Sequence, residues 1–301
     1  MKFDEKKPLD IALNDLFERY SEGVPAVKQI TAALVEKGVV ASQQDIVNDH
    51  IAFRTLGVQH LGIASLGKIF LHYGYTQRDH YHFEKKKLGA YWFSPPKAVY
   101  PRIFISELRV DELSPEAQQI IKKYTAGIDN DPVDALDLDN GAEVGAFFQK
   151  PLWERPTKAD YQRLLDENEY AAWVIYNRYY LNHYTISVHA LKNGYNTIED
   201  FNTFVEGLGI RLNTEGGKIK TSPDGLLSQS STVAEMKEAL FAGGETLAIA
   251  GSYVEFAERR PLPEFSHIPA EQLTTAQRRE GFETGNADKI FESTYTSQTK
   301  Q

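Results

Sequence analysis

One order of elements occurs twice in this chain, and it limits the fold more than any other feature. The first copy opens with Asn48-Asp49-His50-Ile51-Ala52-Phe53-Arg54-Thr55, the second with Leu181-Asn182-His183-Tyr184-Thr185-Ile186-Ser187-Val188-His189. Each reads as a short strand with a histidine near its start, then a helix, then three more strand-like runs. The second copy ends in Tyr253-Val254-Glu255-Phe256-Ala257-Glu258-Arg259, which puts a carboxylate on its last strand. Paired βαβββ modules predict an α+β fold whose two half-sheets curl into one cup-shaped sheet or barrel. Residues of both copies can then share one interior.

The flanking segments complete the organisation. Apolar residues at Leu9, Ala12, Leu13, Leu16 and Phe17, then at Val27, Ile30, Leu34 and Val35, have helical spacing. They predict N-terminal helices over 8–38. Module one spans 48–110, with a helix over 60–73 and strands over 75–84, 88–93 and 102–108. A helical insertion covers 113–180: Ser114-Pro115-Glu116 is a helix start, 157–180 is helical, and the aspartate-rich 129–139 is an exposed loop. Module two spans 181–259, with a helix over 197–208 and strands over 218–221, 226–231 and 245–258. A short helix over 232–241 interrupts the last pair. Residues 1–265 are expected to form a single domain, able to house a catalytic site, and 266–301 a polar C-terminal tail with a mobile end.

Bulk properties exclude several classes. At 301 residues the chain can bury a large core. A formal net charge of −9 disfavours a nucleic-acid surface, and Lys85-Lys86-Lys87 reads as a solvated strand end. The absence of cysteine excludes disulfides, thiolate ligands and cysteine nucleophiles, and fits a reducing cytoplasm. No run approaches the ~20 apolar residues of a membrane span. The first residues lack the apolar stretch of a signal peptide. The expected location is cytoplasmic. Gly207-Leu208-Gly209 follows a helix instead of opening one, so it is no dinucleotide-binding turn.

Strand alternation decides which side chains can meet. His50, Ala52 and Arg54 share one face of their strand; His183, Thr185, Ser187 and His189 share one face of theirs; Gly251, Tyr253, Glu255 and Ala257 do on the last. In a shared interior His50, His183 and Glu255 could converge. Two imidazoles and a carboxylate on one side of a metal leave positions open for substrate and dioxygen. The ligands suit iron, manganese, zinc or nickel alike. Each histidine could instead be an ordinary packed side chain. A carboxylate within the apolar run Leu247, Ile249, Tyr253, Phe256 needs a partner, and a salt bridge from Glu255 to Arg54 would also serve. His80 and His82 form an i, i+2 pair in exposed-looking surroundings. His189 lies about 20 Å further along its strand than His183, too far to share the metal.

These segments resemble the 2-oxoadipate dioxygenase/decarboxylase family, also called 2-hydroxyglutarate synthases. The resemblance rests on 49–55, 182–185 and 253–259, with further likeness in Leu226-Leu227-Ser228-Gln229-Ser230-Ser231 and, to a shorter branch with plant members, in 102–108 and 111–118. It spans about residues 9–265. It implies a fold akin to the vicinal-oxygen-chelate enzymes and Fe(II) on His50, His183 and Glu255. It implies that Arg54 grips a substrate carboxylate, with Gln229 and Tyr253 also at the substrate. A guanidinium fork suits a carboxylate better than lysine does. In longer relatives further substrate contacts come from a C-terminal region, where this chain is short. The implied reaction takes a 2-oxo acid and dioxygen to a 2-hydroxy acid and carbon dioxide, as in lysine catabolism.

Two other readings stay open on the residues. A redox-neutral isomerase or lyase on the same scaffold would want another carboxylate as base, for which Glu107, on the last strand of module one, is the candidate; a structural salt bridge is its alternative role. A non-catalytic binding protein would not need His50, His183 and Glu255 to converge.

Overall fold

Prolines at the first helical positions start two helices, α1 (Pro8–Gly23) and α2 (Pro25–Glu36). The structure, a computed structural model, describes Phe3 and residues 6–300. Module one follows as β1 (Asn48–Leu56), α3 (Gly62–His72), β2 (Thr76–Phe83), β3 (Leu88–Ser94) and β4 (Arg102–Leu108). The insertion holds α4 (Pro115–Thr125), α5 (Gly141–Phe147), α6 (Lys158–Glu167) and α7 (Glu169–Asn177). Module two comprises β5 (His183–Ser187), α8 (Ile198–Gly207), β6 (Lys220–Thr221), β7 (Leu227–Ser231), β8 (Met236–Leu240), β9 (Thr246–Ala250) and β10 (Tyr253–Arg259). Two short helices close the chain, α9 (Thr284–Ile290) and α10 (Thr296–Thr299).

The sheet makes the duplication visible. Its eight strands run β2-β3-β4-β1-β5-β10-β7-β6. Each half therefore has its first strand at the centre, its last strand parallel beside it, and its middle strands outside. The halves join where β1 and β5 pair antiparallel, with Ala52 opposite His183. This join brings the two histidine-bearing strands side by side. Between Asn48 and Ile51 the register slips, a bulge in β1. The strands β1, β5, β7 and β10 are almost entirely buried, because helices cover one face and the curled interior is closed on the other.

Several boundaries differ from the periodic reading. The expected helix over 232–241 is instead β8, which pairs with β9 as a separate hairpin. Gly243 and Gly244, at φ of 93° and 87°, make the tight turn that a helix would not need. The long strand expected over 245–258 breaks at Gly251-Ser252 into β9 and β10. The helix over 157–180 divides at Asn168, whose side chain accepts from the Ala171 amide at 2.8 Å and caps α7. The helix over 60–73 begins only at Gly62, after His60 at a φ of 65°.

The largest difference concerns 266–301. Residues 266–300 are folded onto the sheet, with Phe282, Ile290 and Phe291 buried. Thr296 is tied to Glu169 of α7 through its amide at 2.7 Å and its hydroxyl at 3.0 Å. Lys86, expected at a solvated strand end, pairs with Glu292 at 2.6 Å. A curled half-barrel leaves its interior open on one side. Three apolar side chains in a polar stretch are enough to seat a cover there.

Candidate metal centre

His50, His183 and Glu255 each offer a ligand atom within 4.8 Å of the others, the one such cluster among the described residues. His50 Nε2 lies 3.4 Å from Glu255 Oε1, and His183 Nε2 lies 3.1 Å from Glu255 Oε2. The two Nε2 atoms are 3.3 Å apart. All three side chains are nearly inaccessible to solvent. The parallel pair β5–β10 sets Tyr253 beside His183 and Glu255 beside Thr185, so alternation turns His183 and Glu255 to one interior. The β1–β5 pairing brings His50 from the other module.

The donor set fits a cation. His50 Nδ1 meets Asp49 Oδ1 at 2.8 Å, and His183 Nδ1 meets Asn182 Oδ1 at 3.0 Å. Both Nδ1 atoms therefore carry the proton when the rings are neutral, both Nε2 atoms lie beside the Glu255 carboxylate, and the Thr185 hydroxyl stands 3.0 Å from His50 Nε2 as a donor. Electron pairs gathered this closely in a buried space call for a positive charge. Burial favours a protonated Glu255, but without a metal the imidazoles, where they carry a second proton, overcome it and hold the carboxyl well below its usual range. Burial likewise lowers the basicity of His50, yet Glu255 and Asp49 outweigh it and the net shift is upward. For His183 burial prevails and the shift is downward.

Around this centre lies a small cavity of about 20 Å³, lined by Arg54, Phe104, Ser106, Gln229, Tyr253 and Phe282 among others. Arg54 is fully buried against Tyr170, Trp173 and Phe291, whose ring centroids lie 5.1, 5.2 and 5.6 Å from its guanidinium carbon. It donates to Thr294 Oγ1 at 2.9 Å and to the Phe291 carbonyl at 2.9 Å. The Arg54 Nε and the Tyr253 hydroxyl have no partner in good hydrogen-bond geometry. Gln229 donates to Glu255 Oε1 at 2.6 Å and accepts from Asn286 Nδ2 at 3.0 Å, so both ends of its amide are engaged. Of the residues singled out from sequence, His50, Arg54, His183, Gln229, Tyr253 and Glu255 thus share one cavity.

Glu107 does not join them. It pairs with Thr55, one position out of phase with Arg54 and so on the opposite sheet face. It accepts from the Ile63 amide at 2.8 Å near the start of α3, the structural role. His80 is on the exposed strand β2, and His82 bonds Glu84 and Arg109 at the surface. His189 is not in β5 but in the 3₁₀ turn after it, where its Nδ1 accepts from the Arg259 amide at 3.2 Å.

Sequence reasoning missed Asp49, Arg259, Asn286 and Thr294. Arg259 was legible in principle, because alternation puts it on the Glu255 face of β10. Asp49 was not, since the bulge that sets it beside its neighbour His50 breaks the alternation.

The sequence pattern of the 2-oxoadipate dioxygenase/decarboxylase family matches residues 12–267. A 2-oxoadipate dioxygenase/decarboxylase of Arabidopsis thaliana, chloroplastic, is 47% identical over 266 residues, covering 85% of this chain and 70% of the relative. Its counterpart in Oryza sativa subsp. japonica, chloroplastic/amyloplastic, is 49% identical over 265 residues, covering 84% and 70%. A crystal structure of the hydroxyglutarate synthase of Oryza sativa in complex with 2-oxoadipate superimposes with a TM-score of 0.86 at 44% identity, covering 96% of this chain and 93% of that one. The plastid location of the two plant relatives overturns the cytoplasmic expectation, which had rested only on the lack of cysteine and of a leader-like segment. A pattern match over most of the chain and relatives at nearly half identity establish that the chain belongs to the 2-oxoadipate dioxygenase/decarboxylase family.

Proposed function

We propose that the chain is an Fe(II)-dependent dioxygenase that converts 2-oxoadipate and dioxygen to 2-hydroxyglutarate and carbon dioxide. The observation that carries this reading is the convergence of His50, His183 and Glu255 beside the buried cation Arg54. Both atoms of dioxygen enter the products: the 2-oxo acid loses the carboxyl attached to its keto carbon as carbon dioxide, the keto carbon becomes the new carboxylate, and the next carbon gains a hydroxyl. His50, His183 and Glu255 would hold the iron, which would supply the redox chemistry and a template for a 2-oxo acid.

The chain's own groups do the rest. Gln229 holds one Glu255 oxygen, which fixes how the carboxylate is presented. Phe104, Phe282, Ile290 and Phe291 wall the cavity and keep water from the reacting atoms. Arg54 binds a substrate carboxylate, with the Tyr253 hydroxyl as a second donor. The cavity as it stands holds about one water, so a six-carbon diacid enters only as the C-terminal segment yields. The Phe291 carbonyl and the Thr294 hydroxyl then exchange for substrate oxygens on Arg54.

Oxygen uptake by iron-loaded protein against a panel of 2-oxo acids tests the proposal. The expected stoichiometry is one dioxygen consumed and one carbon dioxide released per 2-hydroxy acid. Labelled dioxygen should mark both the new carboxylate and the hydroxyl. Turnover of 2-oxoadipate without oxygen uptake would sink the reading.

A further inference from the structure

The two histidines are supported unequally. Behind His183 stands the neutral amide of Asn182. Behind His50 stands the Asp49 carboxylate, which Arg259 grips at two points, Nε to Oδ2 at 2.7 Å and NH2 to Oδ1 at 2.9 Å. Arg102 adds a longer contact to Oδ2 at 3.4 Å. Asp49 and Arg259 are each about 1–2% exposed. The remaining face of Arg259 is also committed, donating to the Arg279 and Gly281 carbonyls at 3.1 and 2.7 Å. That loop leads to Phe282, which packs edge-on against the His50 ring with centroids 4.8 Å apart.

We propose that Asp49, locked by Arg259, is a positioning residue for the metal centre: it holds the His50 ring in one orientation, with the proton on Nδ1 and the Nε2 lone pair aimed at the ion. The inference rests on the metal reading above. The geometry assigns this role for two reasons. A bulge in β1, not regular alternation, brings Asp49 to the ring, and bulges re-aim side chains next to active sites. Asp49 Oδ1 is also shared between His50 Nδ1 and Arg259, so the ion pair that anchors the carboxylate is the one that fixes the imidazole. A carboxylate behind a ligating histidine raises the ring's donor strength and removes its freedom to flip. The site thus has one strongly oriented imidazole from module one and one ordinary imidazole from module two.

Cobalt(II), whose visible bands report ligand geometry, is titrated into metal-free parent, Asp49→Asn, and Asp49→Asn/Arg259→Gln, with a chelator competing. The single variant keeps an acceptor for Nδ1 but loses the charge and strands Arg259. The double variant removes both charges, and its metal-free melting temperature shows that the fold is kept. Both variants should bind cobalt about 10–100-fold more weakly than the parent, with altered visible bands. Parent-like affinity and bands in either folded variant would overturn the proposal. So would weak binding by the single variant that the double variant restores, since the fault would then lie with the stranded arginine. A parent that binds no cobalt would instead remove the metal reading itself.

Discussion

At the place where β10 carries Glu255, β4 carries Phe104. The parallel pairings show the correspondence: Thr185, two residues after His183, lies opposite Glu255, and Ala52, two residues after His50, lies opposite Phe104. By the same rule Tyr253 corresponds to Arg102, Asn182 to Asp49, and Ser187 to Arg54. A duplicated module offers four inward positions around one axis. Module two fills both of its positions with candidate ligands, and module one keeps a histidine and an aromatic wall. A metal held by His50, His183 and Glu255 would have Phe104 in place of a fourth side-chain donor, with Arg54 of module one lining the same cavity. In the proposed function module one would serve the substrate more than the ion, and its Asp49 carboxylate stands behind His50.

The comparison breaks most sharply at the metal ligands. Glu255→Ala and His183→Ala should abolish stoichiometric metal, measured by elemental analysis of protein reconstituted without oxygen. Glu107→Ala should keep it, at a cost of about 1 kcal/mol for the lost bond to the Ile63 amide. If Glu107→Ala lost the metal and Glu255→Ala did not, the assignment of the two carboxylates would be reversed.

The modules, their order and the three candidate ligands were legible because strand alternation is a strict two-residue period, and β1, β5 and β10 are regular where His183, Glu255 and Arg54 sit. What escaped the sequence depends on departures from that period. The same register that clears Glu107 from the site could not be read before the strand pairing was known, since β4 could have been shifted by one residue. Asp49 needed the bulge. The C-terminal cover needed three-dimensional contact, because Phe282, Ile290 and Phe291 stand in a stretch whose average polarity is that of a tail. The hairpin of β8 and β9 was hidden by a short window in which Val233, Met236 and Leu240 also suit a helix turn.

The next largest effect tests the unequal support of the histidines. Arg259→Leu leaves Asp49 as a buried charge with the Arg102 contact at 3.4 Å and the His50 hydrogen bond to offset it. Burial pushes the Asp49 carboxyl up, and Arg259 first, then Arg102, bring it well below its usual range. The expected loss is about 3–5 kcal/mol of stability in metal-free protein. Asn182→Ala, on the amide-backed side, should cost about 1–3 kcal/mol. Denaturant unfolding of both variants, under conditions where the parent is two-state, gives the ratio. Equal losses would mean that the ion pair adds nothing beyond ordinary hydrogen bonding.

A pH profile sharpens the comparison at the far ends of β1 and β5, where β5 has already given way to a 3₁₀ turn. Six residues after its metal-centre histidine, module one has the buried Leu56, and module two has His189. Burial pushes His189 down to about 4, with Arg278 and Arg259 adding to the effect and Asp49 opposing it. Unfolded, the ring takes its proton near 6.5, so between these values the unfolded chain binds more protons. Stability attributable to His189 is therefore intact above about 6.5, falls as the pH drops, and is gone below about 4, a loss of up to about 3 kcal/mol. His189→Gln should flatten the stability profile over this window relative to the parent. An unchanged slope would show that His189 already carries its proton in the folded chain.

The smallest expected effect separates substrate from ion. Arg54 and Ser187 hold equivalent places, four residues after the two histidines, but only Arg54 lies in an aromatic cage and lines the cavity. Arg54→Lys keeps a positive charge and loses both the planar stacking on Tyr170 and Trp173 and the two-point contact that now goes to Phe291 and Thr294. An ammonium on a shorter reach meets at most one carboxylate oxygen in that geometry. The variant should bind iron in parent stoichiometry while kcat/KM for 2-oxoadipate falls on the order of tenfold, about 1.4 kcal/mol of transition-state stabilisation. Ser187→Ala should leave kcat/KM within about twofold, because module two contributes no substrate contact at that position. Iron loss in Arg54→Lys with unchanged turnover per bound iron would move Arg54 from the substrate to the support of the metal, and the division of labour between the modules would fail with it.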